Sequence, residues 1–181
     1  MRAKFFLLLM LAAAQSHAAE FEPHYQLGAQ TLTLCSQTPM KKMLFNLGDV
    51  ALYAKDCAIV TADTLTSQPV HLTFKYERAF DGDDFIESSD VLIKRNTAQV
   101  EYQAIQSDLN AFNANYQAIA DGERYDIGWS EATGLVLSKN NRQLSQSNSA
   151  ELAGIYFRIW FGKDPFSNAM KNALLQGALN R

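Results

Sequence analysis

Residues 70–93 read VHLTFKYERAFDGDDFIESSDVLI, and the hydrophobic period changes inside that stretch. Val70, Leu72, Phe74 and Tyr76 alternate with His71, Thr73 and Lys75, the period of a strand with one buried face. On that pattern His71 lies on the polar face and is expected to be solvated. From Asp81 the spacing becomes three and four, through Phe85, Ile86, Ser89, Leu92 and Ile93. This predicts an amphipathic helix, with Asp81, Asp83 and Asp84 at the positive end of its dipole.

The same two periods extend outward. Residues 25–34 and 43–53 (MLFNLGDVALY) read as strands, and Gly48 inside the second suggests a bulge or bend. Leu109, Phe112, Tyr116 and Ile119 predict a second helix from about 104 to 120, closed by Asp121-Gly122. Strands return at 124–130 and 135–138, with turns at Thr133-Gly134 and Asn140-Asn141. Ser149 caps a helix through Leu152, Ile155, Tyr156, Ile159 and Trp160. Gly162 and Asp164-Pro165 end it, and Ser167 caps a last helix through Met170, Leu174 and Leu175. Strands, helices, a hairpin and helices again make an α+β chain, with helices packed on an antiparallel sheet. No repeat or low-complexity linker divides residues 19–181, which read as a single domain.

The first residues read as an export leader. Arg2 and Lys4 precede an apolar run of ten, residues 5–14, followed by small residues that fit cleavage after Ala18. That run is too short to span a bilayer, which takes about twenty residues. Residues 1–18 are therefore expected to be a cleaved signal peptide, and the protein periplasmic with no stable membrane insertion afterwards. The chain is 48% hydrophobic and 19% charged, with a net charge of −3. Losing Arg2 and Lys4 leaves fourteen basic against nineteen acidic side chains, a net charge near −5. This composition excludes a disordered tail and argues against a nucleic-acid partner, which calls for a basic surplus. Cys35 and Cys57 both survive cleavage. In an oxidising compartment they are a disulfide candidate, and two small buried thiols are the alternative.

The search for chemistry excludes more than it finds. Only His24 and His71 remain after the leader, with no paired-histidine motif, so no metal site and no cofactor is expected. Asp81, Asp83 and Asp84 lack the downstream ligands of a calcium loop and read as helix capping. There is no G-x-S-x-G and no phosphate loop. What remains is a set of tyrosines and cations near the helices: Tyr76, Arg78, Lys94, Arg95, Tyr102 and Tyr116. An Arg–Tyr pair between sheet and helices could hold a carboxylate or enolate; a solvated cationic face with tyrosines at the core margin is the plainer account.

Residues 155–167 (IYFRIWFGKDPFS) and 170–177 (MKNALLQG) resemble the closing segment of the chalcone isomerase-like family, F-x-x-I-W-L-G-x-x-P followed by L-K-x-x-L-L-G. Residues 45–53 (FNLGDVALY) and 121–127 (DGERYDI) resemble its long strand and its K-G-D-x-Y-x-L segment. The resemblance runs in order from about residue 31 to 177 and is nearest the exported bacterial branch. It implies an open-faced β-sandwich, a large antiparallel sheet covered by helices with a cleft between. In the plant enzymes that cleft cyclises a chalcone, with an arginine, a threonine and a tyrosine as positioning groups. Non-catalytic relatives hold a fatty acid carboxylate with an Arg–Tyr pair.

Two of those positions differ here. Where the family has an arginine before the long strand, residues 36–42 (SQTPMKK) offer only Lys41 or Lys42, and lysine cannot reproduce a bidentate guanidinium contact. The threonine position falls near Gly48, which has no hydroxyl. The reading is therefore an exported protein, non-catalytic through the loss of those groups, whose cleft takes a fatty-acid-like amphiphile, with Lys41 added to the six residues above as ligand contacts. Two alternatives stand beside it. One is an isomerase or lyase of unknown substrate using Tyr76, Lys94 or Tyr102. The other is an envelope interaction protein with a packed core and no ligand.

Overall fold

The computed structural model describes residues 21–179, so the expected leader lies outside the described residues. Seven strands pair antiparallel in strict chain order: β1 (His24–Leu27), β2 (Gln30–Lys42), β3 (Phe45–Ala54), β4 (Val70–Tyr76), β5 (Arg124–Ser130), β6 (Gly134–Lys139) and β7 (Arg142–Ser147). Helices α1 (Gly82–Arg95) and α2 (Gln99–Asn113) form an excursion between β4 and β5. Helices α3 (Ala150–Tyr156), α4 (Arg158–Phe161) and α5 (Asn168–Leu179) follow β7. This is the α+β arrangement that the pattern of periods predicts, in the open-faced form that the resemblance implies.

Local chemistry accounts for the boundaries. Asp84 accepts from the Asp81 backbone N–H at 2.9 Å, closing a capping box at the start of α1. Ser149 accepts from Leu152 N–H at 3.1 Å, and Ser167 from Met170 N–H at 3.3 Å. Asn140 and Asn141 both have positive φ, 49° and 67°, which a two-residue hairpin turn of right-handed strands demands. Gly48 has φ 136° beside a bulge in β3, where Met40 pairs with Gly48 but Lys41 with Asn46. A Cβ there would run into the Lys75 carbonyl, so no threonine fits at this position.

Four sequence readings need correction. The strand read over 25–34 is two, β1 and β2, joined by a tight turn. The second helix occupies 99–113 rather than 104–120; Tyr116 and Ile119 pack beyond its end, and Ile119 bridges to Phe80. The helix read through Trp160 is broken at Phe157 into α3 and α4. His71 is not solvated: it is 2% exposed. The far face of the sheet carries its own cluster, Phe21, Leu27, Leu32, Leu34, Ala51 and Tyr53, with Tyr25 packed against it. The sheet curls so that β1 reaches β5, and the Tyr25 ring stacks on His71 with centroids 3.5 Å apart.

Cys35 and Cys57 are bridged, with Cα atoms 5.3 Å apart. Cys35 is the extra residue of a bulge in β2, between the Leu34–Tyr53 and Ser36–Leu52 pairs. Cys57 opens the 3-10 turn Cys57–Ile59 just beyond β3.

Candidate functional site

A cavity of about 140 Å³ lies between the helix-covered face of the sheet and α1. Its floor is Phe74 and Tyr76 of β4, Tyr125 and Ile127 of β5 and Leu137 of β6, residues that strand alternation puts on one face. Its wall is the apolar stripe of α1, Phe85, Ser89 and Leu92, with Trp160 and Phe166 beside it. Asp84 and Ser88, exposed on α1, and Leu47 of the β3 bulge stand at the open side. The ring of Phe85 lies at the centre of an aromatic group. It stacks on Tyr116 at 5.3 Å and meets Tyr76, Phe80 and Tyr125 edge-on at 5.1 to 6.0 Å.

Apart from the acids Asp84 and Asp126, the polar side chains lining the cavity carry hydroxyls, and two of them join a chain of hydrogen bonds through Tyr156 and Asn113. Tyr156 donates to Asn113 Oδ1 at 3.0 Å, which uses its only proton, so the 2.8 Å contact between Tyr116 and Tyr156 is donated by Tyr116. Asn113 Nδ2 passes the chain on to Ser89 Oγ at 2.7 Å, and Ser89 donates to the Ile86 carbonyl. Tyr125 donates to the Gln117 carbonyl at 2.6 Å. Tyr76 makes no side-chain hydrogen bond among the described residues, although its ring lines the cavity. Burial pushes the phenols of Tyr76, Tyr116 and Tyr156 well up, so all three stay neutral. They can donate a hydrogen bond but cannot serve as bases near neutral pH. No lysine or arginine is among the lining residues.

The structure brings Tyr76 and Tyr116 together at the cavity and places the other sequence-selected residues elsewhere. Lys94 pairs with Asp90 at 2.6 Å one turn back along α1, and Tyr102 donates to the same carboxylate at 2.6 Å. Against the burial that pushes Asp90 up, these two hydrogen bonds hold its carboxyl low. Arg95 ties the end of α1 to the carbonyls of Asp164 and Pro165, at 2.8 and 2.7 Å. Arg78 donates to the Asn46 carbonyl and lies 5.1 Å over the Phe45 ring; Lys41 is exposed opposite Asn46. The residues not singled out from the sequence are Phe80, Phe85, Tyr125 and Tyr156. The signal for Tyr125 was present, since it alternates in register with Ile127 and Trp129.

A second polar cluster sits on the far face of the sheet. His71 Nε2 lies 3.2 Å from Asp126 Oδ1, Thr73 donates to the same oxygen at 2.8 Å, and Arg124 Nε donates to Oδ2 at 2.9 Å. Burial lowers the His71 pKa despite the carboxylate, so the ring is neutral with its proton on Nε2. Asp126 is opposed by burial, but its bonds from His71 and the Arg124 charge hold it low and ionised. Among the described residues His71 Nδ1 has no hydrogen-bond partner, and it faces Gly128, where a Cβ would come within 2.7 Å of it. Every acceptor of the carboxylate is thus engaged from within the sheet, and the cluster fastens β4 to β5 under Tyr25. Among the described residues no group of side chains could hold a metal ion.

Set against solved structures, the chain is similar to a fatty-acid binding protein of Arabidopsis thaliana. The TM-score is 0.59 and the identity 16%, over 88% of this chain and 93% of that one. That likeness is one of fold. No curated protein sequence matches the chain. The sequence profile described as chalcone isomerase-like matches residues 13–176, nearly the whole of the sheet and its helices. The chain therefore belongs to the chalcone isomerase-like family.

Proposed function

We propose that this protein is a non-catalytic binder of a small, largely apolar molecule in the sheet–helix cavity, a fatty-acid-like amphiphile being the class that fits. The carrying observation is the chemistry of the lining: aromatic and aliphatic walls, neutral phenols and no cation. Such walls bind hydrocarbon, while an ionised carboxylate taken deep among them would lose its hydration without a partner. The apolar part therefore enters and the polar end stays at the open side, near Asp84, Ser88 and Leu47. Ligand sites usually measure roughly 300–1,000 Å³, so 140 Å³ suits a short chain, or a longer one that displaces Phe85. An Arg–Tyr clamp of the kind the family resemblance implied has no counterpart at the cavity, because neither Arg78 nor Arg95 lines it. An isomerase or lyase built on Tyr76, Lys94 and Tyr102 has less support: Lys94 and Tyr102 share a surface carboxylate and do not line the cavity. The export leader read from residues 1–18 adds that the binding occurs in the periplasm.

Native mass spectrometry of protein purified from the periplasm, with solvent extraction of its contents, tests this. The expected result is a stoichiometric amphiphile that is absent from Leu47→Trp, which places an indole across the open side, in a variant whose thermal midpoint matches wild type. A wild-type protein that extracts clean and gives no saturable signal with a fluorescent polyene fatty acid overturns the reading.

A further inference from the structure

The hairpin tip where β2 turns into β3 carries three consecutive exposed apolar side chains, Met43 at 89%, Leu44 at 97% and Phe45 at 56% exposure. Elsewhere among the described residues the exposed large hydrophobics are isolated: Ile59, Val91, Val100 and Leu179. Scattered single residues need no explanation, but a run at a protruding tip does. Met43 holds a positive φ of 55°, so the turn is made by a residue that gains nothing from that conformation. The tip is ringed by cations in a chain whose net charge is negative. Lys41 is exposed on one flank. Lys42 donates to the Phe166 carbonyl at 2.9 Å and lies over the Phe166 ring. Arg78 lies over Phe45. The acid beside them, Glu77, is turned to Asn46 Nδ2 at 2.6 Å.

We infer that this hairpin tip docks on a lipid surface bearing anionic headgroups, with Met43, Leu44 and Phe45 entering the acyl boundary and Lys41, Lys42 and Arg78 at the phosphates. Apolar insertion beside a basic collar is the two-signal combination that reversible membrane attachment requires. Long cationic side chains suit it, since their stems lie along apolar neighbours while their heads remain at the interface. A protein partner fits less well. Three side chains at a convex tip bury far less than the roughly 1,200 Å² of a stable interface. The position adds a consequence: Met40 and Leu47, just behind the tip on either strand, line the cavity. Docking would bring the open side of the cavity to the bilayer. The attachment itself does not depend on what the cavity holds.

Vesicle co-sedimentation tests it, using the protein as purified from expressing cells, with phosphatidylcholine vesicles with and without phosphatidylglycerol. Residues 1–20 are the same in every variant, so the difference between wild type and variants isolates the tip. Leu44→Glu, fully exposed and so neutral to folding, should weaken partitioning roughly ten- to hundredfold. Lys41→Gln should weaken it about fivefold, and only on vesicles containing phosphatidylglycerol. Wild type and Leu44→Glu sedimenting alike overturns the inference, as does a wild type that stays in solution with both vesicles. So does a wild-type dimer that Leu44→Glu dissociates, which would assign the tip to a second copy. Ligand extraction from the same preparations reads the cavity separately, so either proposal can fail without the other.

Discussion

At the scale of single residues, His71 shows how much of a side chain's state is set by what lies above it. Its place in the alternation of β4 is that of a surface residue, yet Tyr25 covers it and the ring is neutral and buried. The stability consequence has a definite sign. The native pKa lies below the unfolded value of about 6.5, so between the two the unfolded chain binds the extra proton. The His71 contribution to stability is constant above about pH 6.5 and falls as the pH drops below it, by at most about 1.4 kcal/mol per pH unit. Asp126 acts in the same sense further down: its depressed pKa contributes stability above the ordinary carboxylate value, lost in strong acid. The groups facing the imidazole are Asp126, Thr73, Arg124, Tyr25 and Tyr53. Tyr25 and Tyr53, pushed up to about 12 chiefly by burial, do not titrate in that range. Urea midpoints across pH 4.5 to 7.5 should therefore slope for wild type and flatten for His71→Gln. Equal slopes in the two proteins would place the titration elsewhere.

At the scale of elements, β2 is the strand on which most depends. It pairs with β1 and β3, carries the bridged bulge at Cys35 and ends at the exposed hairpin tip. The bridge closes 22 residues, which the chain-entropy account values at about 3 kcal/mol. Reduction should lower the denaturation midpoint by that equivalent while leaving β4 to β7, and their far-ultraviolet signature, intact below the new midpoint. An unchanged midpoint in reductant would mean that the bulge holds its shape without the bond. The elements also show where sequence reading succeeds. Alternation in β4, the acidic cap of α1, the Asn140-Asn141 turn and the serine caps were legible because each is fixed by contacts within a few residues. The end of α2 was not. Tyr116 and Ile119 sit at helical spacing, but their burial comes from Phe85 and from a bridge to Phe80, contacts between segments distant in sequence. The candidate site divides the same way. Tyr76 and Tyr116 were recognisable as polar-tipped aromatics near a sheet–helix junction. The lodging of Arg95 on the carbonyls of residues 164 and 165 depends on a loop some seventy positions away.

At the scale of the whole molecule, the sheet is a meander and the helices close it. α5 returns to the start of the chain and lies on β2, with Ser36 donating to the Leu174 carbonyl at 2.6 Å across 138 positions. Its buried face, Met170, Leu174 and Ala178, covers apolar surface that β2 would otherwise show to water. A chain ending at residue 163 should keep most of its strand signal, lose cooperative thermal unfolding and bind a hydrophobic dye. Cooperative melting of that truncated chain within a few degrees of wild type would show that α5 is accessory.

The contact between Ser36 and Leu174 also sets an order of events. A polypeptide emerging amino end first presents β2 early and its cover late, because Leu174 of α5 follows Ser36 by 138 positions. Until α5 is free the long strand lacks its lid. The strand made second is thus among the last to be covered, and synthesis runs well ahead of folding.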